Sequence, residues 1–153
     1  MSHLLSCWDV CTEGLQRRIY LAEDLMALKK IGKQQKWNSQ PFSIDEKLIW
    51  GDKVIIVTDD TLHIVLATKN MHAMNGYMPD EVIGKNPRIF QGKETEISAK
   101  ETIRNAIRNK KPFEAILTNY KKDGSIYKCQ VEAHPVLNTQ RNLVNFIAFE
   151  NAV

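Results

Sequence analysis

From Leu4 to about Lys36 apolar residues return every three or four positions. Leu4, Trp8, Cys11, Leu15, Ile19, Ala22 and Met26 make the stripe, Leu21, Leu25 and Leu28 widen it, and charges fill the rest. That period predicts a long amphipathic helix. Gly32, the Lys/Gln run and Asn38-Ser39-Gln40-Pro41 close the helix and form a short linker.

The period then shortens. Lys53 to Thr58 and Leu62 to Ala67 are β-branched runs split by Asp59-Asp60-Thr61, which predicts two short strands and a tight turn. Thr68 to Tyr77 places Met71 and Met74 at i, i+3 and ends at Gly76; Pro79 can open another short helix before Gly84. Thr95 to Asn109 carries Ile97, Ala99, Ile103, Ala106 and Ile107 at helical spacing, with Arg104 and Arg108 toward the end that favours cations. Beyond Pro112, Phe113 to Lys121, Ser125 to Val136 and Leu143 to Asn151 are extended runs, and the first two are joined by Lys122-Asp123-Gly124, a hairpin signal. The order of elements predicts an α+β domain: one five-stranded antiparallel sheet, with the helices between Thr68 and Asn109 on one face. Such a layer arrangement leaves room between sheet and helices for a small ligand.

Composition narrows the class. The 153 residues suit one domain. Apolar residues at 43% and charged residues at 25% can support a core. Basic residues number 21 and acidic ones 18, a net +3 spread through the chain, so neither nucleic acid nor an acidic membrane surface is expected as a partner. Three cysteines without a secretory signal fit a reducing cytoplasm, and no apolar stretch is long enough to span a membrane.

From about Asp52 to Val153 the chain resembles a PAS domain. The resemblance rests on the hairpin ending in Asp59-Asp60, on Asn75-Gly76-Tyr77, on Gly84-Lys85-Asn86-Pro87-Arg88-Ile89-Phe90-Gln91-Gly92 and on Asn119-Tyr120-Lys121-Lys122-Asp123-Gly124. These segments look most like the light-oxygen-voltage branch, whose members hold a flavin and carry Asn-Cys-Arg-Phe-Leu-Gln-Gly where Asn86 to Gly92 stands here. The resemblance implies the PAS fold and places the two arginines that bind the flavin phosphate at Arg88 and Arg104. It also matches the family's glutamine to Gln91 and the first flavin-binding asparagine to Asn119. Guanidinium groups pair with phosphate in a bidentate manner, which is why arginine suits both positions.

Three positions depart from the branch. Pro87 stands where the cysteine would attack an illuminated flavin, so no covalent adduct is expected. Cys129 stands for the second flavin-binding asparagine and Glu150 for the last-strand glutamine. A thiol lacks the amide's paired donor and acceptor, and an ionised carboxylate would repel flavin carbonyls. Each matched residue also has an ordinary structural role open to it: Arg88 and Arg104 as solvated arginines, Asn119 and Gln91 as amides pinning loops and strand ends.

Other chemistry finds little support. His63, His72 and His134 are the core histidines that could ligate a haem, and none falls on the long core helix. Cys7 and Cys11, with His3 and Asp9, read better as small interface residues than as a zinc site. No phosphate loop, metalloprotease signature or nucleophile elbow occurs, and Asp59-Asp60 and Glu94-Thr95-Glu96 suit a turn and a helix start. The expectation is a cytoplasmic, non-enzymatic PAS sensor or interaction module, with a helical extension over 1–40 and the PAS domain over 41–153. No cofactor is assigned; the alternative is an FMN-binding redox or light sensor without the cysteine. The chain ends close after its last strand, so output is expected from a partner or from a longer protein. The helix is expected to form a homodimer that buries Trp8, Leu15, Ile19 and Leu25, because Leu21, Leu25 and Leu28 would stay exposed if it merely folded back.

Overall fold

The computed structural model describes residues 2–153, with side chains from Asp9 onward. It contains α1 (Ser2–Gln34), a π-helical turn (Glu46–Trp50), β1 (Val54–Asp59), β2 (Ile64–Ala67), α2 (Met71–Asn75), α3 (Pro79–Val82), a 3-10 turn (Pro87–Phe90), α4 (Ile97–Arg108), β3 (Phe113–Tyr120), β4 (Ile126–Leu137) and β5 (Leu143–Ala152). The five strands form one sheet in the order β2-β1-β5-β4-β3, every pair antiparallel. The last strand in sequence therefore lies at the centre, between the first and the fourth.

Alternation along the strands gives the sheet two apolar faces. On the inner face Val54 and Ile56 pack with Met71, Val82 and Phe90 under α2, α3 and the 3-10 turn. Leu117, Cys129, Val131 and Ala133 continue that face toward Ala99 and Ile103 of α4. On the outer face Ile55, Val57, Leu66, Val136, Ile147 and Phe149 form one cluster with Leu28 of α1 and Leu48 of the π turn.

The second half of α1 covers this outer face. Leu21, Leu25 and Ile31 pack against the cluster and Leu28 is fully buried. The expectation that Leu21, Leu25 and Leu28 would stay exposed after fold-back is therefore overturned. These residues, with Ile31, lie three or four apart, so they form a stripe of their own. The side that stays open carries Val10, Leu15, Ile19 and Met26. The expected burial of Trp8 lies outside the described side chains, as does any role of Cys7; Cys11 is exposed.

Polar contacts fix α1 in place. The buried Asp24 accepts from the Lys69 backbone N–H at 2.9 Å, Lys69 Nζ reaches Glu23 at 2.6 Å, and Arg17 pairs with Asp52 at 3.1 Å. Past the helix, Trp37 donates its indole N–H to Asn145 of β5 at 2.8 Å, and Asn38 N–H bonds to Leu137 O. No helix is long and apolar enough to cross a membrane among the described residues.

Candidate functional site

The start of α4 is clamped onto β3. Thr95 Oγ1 donates to Thr118 O at 2.6 Å, and the Glu96 carboxylate accepts from Thr118 N–H and from its hydroxyl. Lys128 also bonds Glu96, and with these donors it holds the Glu96 carboxyl down at about 2. Gly92 precedes this clamp because the Tyr120 ring leaves no space: a Cβ there would stand 2.5 Å from Tyr120 Cε2. The same tyrosine hydroxyl accepts from Glu94 N–H at 2.9 Å. So anchored, α4 turns Ile103 and Ile107 toward the inner face of the sheet.

On the other side of the gap stands the 3-10 turn. Asn86 Oδ1 accepts from Arg88 N–H at 3.0 Å, and Pro87 takes the first helical position, where a missing N–H costs nothing. The Asn-Pro-Arg sequence thus has a local structural reason apart from any ligand.

Between the turn, α4 and the sheet lies a cavity of about 100 Å³. Its walls are mostly apolar, including Ile56, Phe90, Leu117, Phe146 and Ala148, and its polar members are Thr58, Gln91, Asn119 and Glu150. Thr58 Oγ1 is buried without a hydrogen-bond partner. Such an atom costs about 1–3 kcal/mol when left unpaired, so a ligand that satisfies it gains that much. The cavity leads past Leu62, Pro87, Gln91, Ile103 and Ile107, residues that also border an outer pocket of about 300 Å³. Asn86, Arg88, Lys100 and Arg104 complete the outer pocket, which has no acidic residue in its wall.

The structure thus brings five of the six candidate residues to two adjoining pockets: Gln91, Asn119 and Glu150 at the inner one, Arg88 and Arg104 at the outer, with Gln91 bordering both. Cys129 is buried in the adjoining strand and does not line the cavity. Its thiol donates to Glu150 Oε2 at 3.7 Å. Burial pushes the Glu150 carboxyl up to about 7, and burial with the neighbouring Glu150 raises the Cys129 thiol far above its ordinary range. Burial likewise raises the Tyr127 phenol, next to them on β4.

Sequence reasoning missed two residues that line these pockets. Lys100 lies one helical turn before Arg104, an i, i+4 spacing visible in the sequence. Thr58 stands two residues beyond Ile56 on the same strand, which puts it on the same face. Asn75, fully buried at the end of α2, lies outside both pockets, beside the Tyr127 phenol. The histidines lie elsewhere: His63 and His72 are exposed, and His134 stacks on Phe42 over the outer face and bonds Glu132.

A five-stranded antiparallel sheet with a cavity between it and a layer of short helices defines an α+β domain of two layers. Residues 52–151 match the family model described as PAS domain, and the chain belongs to that family. Among curated proteins it is 30% identical over 101 residues to Phototropin-2 of Oryza sativa subsp. japonica, covering 64% of this chain and 11% of that protein. It is 34% identical over 85 residues to a Blue-light-activated histidine kinase of Brucella canis, covering 56% of this chain and 17% of the kinase. A Bacterioopsin transcriptional activator of Halobacterium salinarum is 29% identical over 108 residues, 71% of this chain and 16% of that one. The chain therefore matches less than a fifth of the length of each of these relatives. Among solved structures, the dark structure of the blue-light photoreceptor Aureochrome1 LOV superposes with a TM-score of 0.67 at 28% identity, over 76% of this chain and 86% of that one. Its light state gives 0.64 at 29%, over 72% and 89%. The domain is thus a PAS domain with sequence and structural similarity to the light-oxygen-voltage branch.

That branch implies flavin mononucleotide, and the two ends of the space answer differently. Arg88 and Arg104 border one pocket, as phosphate binding requires. The inner cavity of about 100 Å³ falls well short of the roughly 300 Å³ at which drug-sized ligand pockets begin, and a three-ring isoalloxazine needs that scale of space. The acidic Glu150 at its end adds repulsion wherever it is ionised. The inner cavity by itself is too small for the whole ring system, so a flavin would have to reach through to the outer pocket.

Proposed function

We propose that this chain is a sensory and interaction module of a signal-transduction protein, without catalysis of its own, reading the occupancy of its inner cavity and passing it to α1. One observation carries this reading. Strand β5 turns Phe146, Ala148 and Glu150 to the cavity and Ile147 and Phe149 to the cluster that holds Leu28. Ligand and helix are thus separated by a single strand, and a shift of its backbone reaches both.

The proposal includes the rest of the expected arrangement: a helical extension over 1–40, a PAS domain over 41–153, a cytoplasmic setting, a homodimer through α1 and a downstream signalling domain or protein as receiver. The relatives' names, a histidine kinase and a transcriptional activator, support such receivers. Pro87 at the cavity wall supports a sensor without adduct photochemistry. Ala148→Leu tests the coupling, because it adds side-chain volume to the cavity as a ligand would. Hydrogen exchange of the full chain is expected to change over residues 21–34 as well as in the cavity wall. Exchange over 21–34 identical to the parent, with the wall altered, contradicts the proposal.

A further inference from the structure

The open side of α1 has a pattern of its own. Thr12, Leu15, Ile19, Ala22, Met26, Lys29 and Lys33 are all exposed, whereas Leu21, Leu25, Leu28 and Ile31 turn to the sheet. The exposed set advances by three and four residues in alternation, which is the seven-residue repeat with which two helices pack side by side. Its middle, from Leu15 to Met26, is apolar, and its end is cationic. Charge along the helix divides in the same place. Residues 9–24 hold the acids Asp9, Glu13, Glu23 and Asp24 beside Arg17 and Arg18, while residues 25–36 hold Lys29, Lys30, Lys33 and Lys36 and no acid.

We infer that two copies of this chain pair through this seam with their α1 helices antiparallel. The inference rests on the homodimer proposed above and gives its geometry. A parallel pair would set Lys29 against the partner's Lys29 and Lys33 against the partner's Lys33, two like-charge contacts at positions that a helix pair keeps driest. It would also face Ala22 with the partner's Ala22 and leave a gap between them. An antiparallel pair centred between Tyr20 and Leu21 removes both faults. Leu15 then meets the partner's Met26, Ile19 fills the space before the partner's Ala22, and Thr12 faces the partner's Lys29. On the flank of the seam Asp9 lies beside the partner's Lys30, and the two-fold axis repeats that pair at the other end. A parallel arrangement offers Arg18 the partner's Glu23 instead, but Lys69 of the same chain already holds that carboxylate at 2.6 Å. Lys29 stands 3.8 Å from Asp45 of its own chain, with both side chains more than half exposed, so this contact leaves it free to turn to the seam. Each helix is ordered beforehand by its own sheet, which lowers the entropy cost of pairing. The assembly has four layers: sheet, helix, helix and sheet.

Disulfide trapping of the full chain tests it, in a background carrying Cys7→Ser and Cys11→Ser, which leaves the buried Cys129 as the remaining native thiol. Two chains are made, one with Leu15→Cys and one with Met26→Cys, and each is oxidised with oxidised glutathione, alone and in an equal mixture. Both positions are exposed, so the variants keep the fold. In the antiparallel pair each position stands about 16 Å along the axis from its own copy, at about 1.5 Å per residue, while a disulfide needs Cα atoms within about 7 Å. A covalent dimer should therefore form in the mixture, and each chain alone should run as a monomer on a non-reducing gel. A covalent dimer from each chain alone means a parallel pair and overturns the inference. In sedimentation Lys30→Asp should weaken the dimer several-fold, and Asp9→Lys in the same chain should restore it; no restoration overturns the register. If the parent chain sediments as a dimer and no combination is trapped, the seam fails and the homodimer stands. A parent chain that is monomeric throughout the micromolar range ends both.

Discussion

Glu150 sets the chemistry of the site at the scale of one residue. A carboxyl enclosed by apolar strands pays its full desolvation cost on ionising, and the single contact from the Cys129 thiol offsets little of it. Its value in the folded chain, about 7, lies above the ordinary 4.5, so the folded state holds the proton more tightly than the unfolded one. Stability from this group is therefore complete below about 4.5, declines as pH rises and is lost above about 7. At about 1.4 kcal/mol per pH unit the full effect is on the order of 3 kcal/mol. Asp24, also raised by burial, acts in the same direction, whereas Glu96, held low by Lys128, adds stability that is present at neutral pH and lost only in acid. Glu150→Gln isolates the first contribution: its urea midpoint should exceed the parent's at pH 8 and match it more closely at pH 5. A parent-minus-variant difference that does not change between those two pH values contradicts the assignment.

Motif order singled out Arg88, Gln91 and Asn119, and counting on from Asn119 singled out Glu150; the structure places Arg88 at the outer pocket and the other three at the wall of the inner cavity. The size of the cavity was not legible, because it depends on how Phe90, Phe146 and Leu117 fill the space across three separate elements. Nor was the exclusion of Cys129 from the wall, since the count along β4 gives the position and not the volume in front of it. Pro87 was read for the thiol it lacks, while its place in the 3-10 turn depends on Asn86 capping that turn.

At the scale of elements, the strands were the easiest to read. Their two-residue period and the Asp123-Gly124 turn leave one register, and Gly124 takes the left-handed backbone, φ 86°, that such a turn requires. The facing of α1 was harder. Its apolar residues surround more than half of the helix, so periodicity gives the helix and not the side that meets the sheet. That choice depends on where the helix ends relative to the sheet: Trp37 and Asn38 tie its exit to β5 and β4, which turns Leu21, Leu25, Leu28 and Ile31 inward. The π turn from Glu46 to Trp50 gave no periodic signal, being too short for one, yet it supplies the fully enclosed Leu48 to the same cluster. If α1 is part of the cooperative unit, Leu28→Ala should cost about 2–5 kcal/mol, the range for emptying a buried leucine site. Chemical denaturation measures it, and a midpoint equal to the parent's would mean that the helix unfolds independently of the sheet.

For the whole molecule, α1 covers the outer face of β1, β2, β5 and the end of β4, and its other side is an exposed apolar surface that a partner would cover. Val10 is 68% exposed, Leu15 60% and Met26 73%, and a helix open in this way is stabilised by association. The proposed homodimer uses this side and not Leu25, which the sheet already covers. Sedimentation of the full chain should give a dimer at micromolar concentration, and the pair Leu15→Glu with Ile19→Glu should convert it to a monomer without lowering the denaturation midpoint. A parent chain that sediments as a monomer contradicts the proposal.

The central claim is a PAS sensor whose inner cavity takes a small molecule and whose response needs no cysteine adduct. Native mass spectrometry of the freshly purified full chain, with an absorption spectrum before and after blue light, tests it most directly. The account predicts a retained species, one per chain, and a spectrum that illumination leaves unchanged. Stoichiometric flavin mononucleotide with reversible bleaching under blue light would contradict it.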